Sequence, residues 1–185
     1  MNRPFPEEYP VFYKGYIDTV SDDVLAELER QIETFPAFLR GIPAYKAAFA
    51  YAEGKWTIQE LLGHVLDTER IMAYRALRIG RNDSTPLPGF EENDYVANAH
   101  FSDRSLDSLA AEFEALRRAN MYLIRSLNET ELGRIGISNE KPISARALIL
   151  NGSPGRWVRR TLTVSRLSFT GSTAFSNASC SCPFP

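Results

Sequence analysis

The chain has 185 residues, of which 44% are hydrophobic and 24% charged, with a net charge of −2; this is the composition of a globular protein with enough chain for one real core. That balance gives no global attraction to nucleic acid or to an anionic membrane, and no apolar run reaches the roughly 18 residues of a membrane-spanning helix. The opening residues, Met1 to Glu8, have neither the apolar core of a signal peptide nor the acid-poor composition of a transit peptide, so the expected location is cytoplasmic.

The elements are predominantly helical. A first helix is expected from Ser21, a capping residue followed by Asp22 and Asp23, which suit the positive end of a helix. Val24, Leu25, Leu28, Ile32, Phe35 and Leu39 recur on one face, and Pro36 predicts a kink or a stop. The second helix carries the strongest signature. Thr57-Ile58-Gln59-Glu60 is a capping box, and an apolar stripe runs from Ile58 through Leu61, Leu62, Val65, Leu66, Met72 and Ala76 towards a stop at Gly80. Residues 81–104, with Asn82-Asp83 and Pro86-Leu87-Pro88-Gly89-Phe90, read as an ordered crossover loop. A third helix is expected over about 105–127, with Leu106, Leu109, Phe113, Leu116, Leu123, Ile124 and Leu127 inward and Asn128 just beyond its C-terminus. A fourth begins at Ser144 and meets Asn151-Gly152-Ser153-Pro154-Gly155, a strong stop.

Charge divides the chain near residue 150. All 23 acids precede residue 151, giving net charges of −6 before that point and +4 after it. The domain reading is therefore a helical bundle over 1–150 and a tail over 151–185, irregular or disordered, rich in Ser and Thr and without a sustained helical period. The tail's composition reads as translation out of frame or as a genuine divergent ending. Cys180 and Cys182 stand too close together for an easy disulfide and read as incidental thiols.

Two side chains of the second helix carry chemical interest. Glu69 falls within about 20° of Ile58 on the helical wheel, so it points into the apolar stripe. A carboxylate there needs a partner, and an ion pair with Arg70, Arg75, Arg78, Arg117 or Arg118 is the simplest solution. His64 lies at the edge of the stripe; taken alone, a helical histidine is more often a packed or surface residue than a ligand. The only other histidine is His100, in the crossover. There is no paired-histidine zinc motif, phosphate loop or nucleophile elbow.

The run from Gly54 to Arg70 resembles the DinB/YfiT-like superfamily, as do Ala73 to Leu77, Pro86 to Phe90 and Asn139 to Leu148. The resemblance implies an all-α four-helix bundle with long crossovers and a divalent metal, Zn or Ni, held by one histidine of the second helix and two of the fourth. His64 matches the first. The implied activity is metal-dependent hydrolysis or thiol S-transfer on a small-molecule substrate, with a low-molecular-weight thiol in some members. This chain departs from the pattern where the other two histidines are expected, near Gly155 and Arg159, so its fourth helix is expected to be truncated or disrupted and its metal not tightly held. The catalytic and cofactor-binding residues stay unassigned. The leading expectation is thus a family enzyme with an incomplete site; the alternative is a non-catalytic helical module acting through protein binding or self-association, including a homodimer.

Overall fold

A computed structural model describes residues 1–18 and 22–151. After two short 3₁₀ turns, α1 spans Lys14–Ile17 and α2 spans Val24–Arg40. The long α3 covers Ile58–Gly80, α4 covers Glu92–Asn98, α5 covers Leu106–Ser126 and α6 covers Glu129–Leu132. Strands β1 (Ile135–Ser138) and β2 (Lys141–Ser144) form an antiparallel hairpin that feeds α7, Ala145–Asn151. The result is a helical bundle bearing one small hairpin. The expected stop after residue 151 and the two cysteines lie outside the described residues.

Local chemistry explains where these helices start. Thr57 Oγ1 accepts from the Glu60 amide at 3.2 Å and Glu60 Oε2 from the Thr57 amide at 2.7 Å, so the capping box of α3 is complete. Ser105 caps α5 by accepting from the Ser108 amide at 3.1 Å. Ser144 does the same for α7, accepting from the Ala147 amide at 3.1 Å. The start of α2 differs from expectation. Asp23 is its N-cap, accepting from the Ala26 amide at 3.2 Å, and Ser21 lies outside the described residues.

Pro36 neither stops nor ends α2, which runs on to Arg40. The lost backbone donor is offset by packing on both sides of it. Phe35 meets Phe113 of α5 edge-on at 4.6 Å, and Leu39 is buried one turn later. Asn128 lies just beyond the α5 C-cap, Leu127, as expected, and has a second role. Its backbone is extended, and its side chain caps α6 in a second capping box with Glu131. The crossover over 81–104 is more regular than a loop, since it contains α4 and a 3₁₀ turn at Phe101–Asp103.

The hairpin went unread because its signal is weak. Asn139 and Glu140 both have positive φ, 49° and 62°, the pattern of a two-residue type I′ turn. Asn favours that conformation and Glu does not. The hairpin also anchors the crossover: the Leu87 amide donates to Ile137 O at 2.9 Å and the Asn139 amide to Leu87 O at 3.0 Å.

The core falls into two clusters. One gathers Phe35, Leu39, Leu62, Leu66, Leu109 and Phe113 between α2, α5 and the first half of α3. The other joins Val24, Leu28, Ala76, Ile79, Ile143 and Leu148 around the second half of α3 and α7. The N-terminal segment is fastened to the second cluster. Glu8 accepts from Ser144 Oγ at 2.8 Å and lies 3.2 Å from Arg146 Nε, and Arg146 also donates to Glu129 at 3.1 Å.

Candidate functional site

His64 occupies the first half of α3, with 4% of its surface exposed. The capping box fixes the start of the helix and therefore the face on which residue 64 falls. Trp56, just ahead of the cap, brings its ring to 4.9 Å from the imidazole at an interplanar angle of 40°. Thr68, one turn on, places Oγ1 at 3.4 Å from Nε2, a long contact at best. Burial pushes the His64 pKa down from 6.5 to about 4, so the ring is neutral at physiological pH. A neutral imidazole is the state that ligates metals.

The linkage to stability has a definite sign. The folded chain holds His64 neutral, whereas the unfolded chain protonates it near 6.5. Its contribution is therefore complete above pH 6.5 and is lost as pH falls towards 4, by up to about 3 kcal/mol. Denaturant melts of the metal-free chain and of His64→Gln should diverge over that window, with the variant less pH-dependent. Parallel curves would place the histidine in water.

Glu69 points inward and is 4% exposed. Arg117 of α5 grips it with both arms of its guanidinium, Nε to Oε1 at 2.6 Å and Nη2 to Oε2 at 2.9 Å. Asn120 donates to Oε1 at 3.1 Å, and Arg117 Nη1 donates to Gln31 of α2 at 2.9 Å. The expected buried ion pair is present, with Arg117 as the partner among the five arginines considered. Bidentate geometry of this kind satisfies the carboxylate and leaves it no role as a base. Sequence reasoning missed Gln31 and Asn120, which lie on other helices at spacings that carry no local pattern.

Glu69 and His64 stand five residues apart, about 140° around the helix, and the structure keeps them in separate environments. His100 is exposed and sits in the left-handed region, φ 51°, ahead of the 3₁₀ turn. Among the described residues no group of three or more His, Cys, Asp or Glu could hold a metal ion. Outside them stand no histidine and no acid, only Cys180 and Cys182. A catalytic zinc site takes three protein ligands. His64 is chemically suited to be one of them, and the donor set around it does not fit a three-histidine centre.

The buried, neutral histidine thus stands on the longest helix of a helical bundle. The DinB superfamily model matches residues 27–152, and the chain belongs to that superfamily. It is similar in fold to YfiT from Bacillus subtilis, described as a probable metal-dependent hydrolase with an unusual four-helix bundle topology. The two share 14% identity, with a TM-score of 0.67 over 81% of this chain and 90% of that one. No curated protein matches the sequence.

Proposed function

We propose that this chain is a DinB-superfamily scaffold of the metal-dependent hydrolase or thiol S-transferase type which retains one ligand position, His64, and does not itself complete the metal centre. The observation that carries this reading is the donor set. A buried neutral imidazole on α3 supports His64 as a ligand position, and the chain's other histidine is exposed and outside any three-donor group among the described residues. The family part of the chain is residues 1–150, and residues 151–185 are a tail that does not supply the two remaining histidines. Membership in the superfamily supports a small molecule as the ancestral substrate.

The reading predicts a gain of function. Replacing the residues after Leu148 with a helical segment bearing two histidines one turn apart should create a site for about one equivalent of zinc or nickel. Adding His64→Ala to that graft should abolish it. A grafted chain that binds metal equally well without His64 would remove residue 64 from the site.

A further inference from the structure

The helix α7 depends on its neighbours more than the others do. It has seven residues, too few for an isolated helix to persist in water, and every residue from Ala145 to Leu150 is buried. What packs on α7 therefore decides whether it is formed, and both α3 and α1 pack against it. The N-terminal segment reaches it through Glu8, which ends the first 3₁₀ turn and is 7% exposed. Ser144 Oγ donates to Glu8 Oε2 at 2.8 Å and accepts from the Ala147 amide at 3.1 Å. Glu8 thus fixes the direction of the hydroxyl that caps α7. Nine residues on, Ile17 is 3% exposed in the same apolar cluster as Leu148 and Leu150, with Tyr9 and Tyr13 packed against that cluster.

The charged part of this attachment is incomplete. Arg146 Nε lies 3.2 Å from Glu8 Oε2 without the alignment of a hydrogen bond, and it is buried with no other partner among the described residues. The other guanidinium nitrogens turn to Glu129, at 3.1 Å to its carboxylate and 3.3 Å to its carbonyl. The pair at the centre of the bundle is different, since Arg117 meets both oxygens of Glu69 squarely. A buried polar network that is only partly satisfied holds less firmly than a complete one. The core cluster of Leu62, Leu66, Leu109 and Phe113 contains no residue of the N-terminal segment or of α7.

We propose that residues 1–17 form a strap with Glu8 as its latch, and that releasing the latch opens α7 while the cluster around Phe113 stays closed. The chain then has a local opening of its own, distinct from global unfolding. This device concerns the attachment of α7 and does not depend on the metal reading of His64.

The test is native-state hydrogen exchange of the full chain, followed by NMR at the amides of Leu148, Ile149 and Leu150 and at those of residues 109–113 in α5. In the wild type the α7 amides should exchange at least about tenfold faster than those of α5. Glu8→Ala should speed the α7 amides by about a further tenfold and leave residues 109–113 unchanged. Glu8→Gln keeps an acceptor for Ser144 and removes the charge, so its effect on α7 should be smaller, about threefold. If Glu8→Ala does not fold, the wild type and Glu8→Gln decide. Equal exchange in α7 and α5 of the wild type would overturn the proposal, as would equal acceleration of both by a Glu8 variant. Unchanged α7 exchange in the Glu8 variants would overturn it too.

Discussion

Arg117→Met is expected to destabilise the protein by about 3–5 kcal/mol, because it strands the Glu69 carboxylate in the interior. Glu69 is 4% exposed and would keep only the Asn120 amide, at 3.1 Å, of the three hydrogen bonds it now accepts. Gln31 would lose its donor from Arg117 as well. Glu69→Leu alone should cost a similar amount by stranding the guanidinium. The double replacement should be far less harmful than the sum, since hydrophobic side chains of similar volume often substitute for a buried pair without loss. Denaturant melts of the four chains give the coupling energy directly. Additive losses would mean that the two groups do not depend on each other.

Gly63→Ala should be nearly as damaging, at about 3 kcal/mol, though the change adds a single methyl group. A Cβ at residue 63 would lie 2.1 Å from the Phe101 ring, well inside contact distance. Phe101 is 7% exposed and packed in the cluster with Leu62, Leu66 and Leu106, so the ring has little room to give. Helix propensity alone predicts the opposite sign, because Ala is a better helix former than Gly by about 1 kcal/mol. The sign of the measured change therefore decides between local propensity and tertiary packing. Phe101→Leu, which frees space over residue 63, should recover part of the loss in the double variant.

These two sites show what could be read from the sequence and what could not. The α3 capping box and the inward Glu69 were legible because both follow from spacing within one helix. The Gly63–Phe101 contact was not, since it joins the middle of a helix to a crossover 38 positions away. Of the kink or stop expected at Pro36, the stop is absent, because α2 gains the packing of Phe35 and Leu39 by continuing. The β1–β2 hairpin escaped because one of its two turn residues is a glutamate in a left-handed conformation. At the candidate site, the place of His64 at the edge of the α3 stripe was legible from spacing within one helix. Its burial beneath Trp56 depends on how the chain enters α3, which no periodicity encodes.

The most direct measurement is the zinc and nickel content of the purified 185-residue chain after loading with each ion and exhaustive dialysis. Far less than one equivalent should be retained, because His64 is a single buried donor and no three-donor group surrounds it among the described residues. One equivalent retained by the chain and lost on His64→Ala would contradict it and would show that other side chains complete the site.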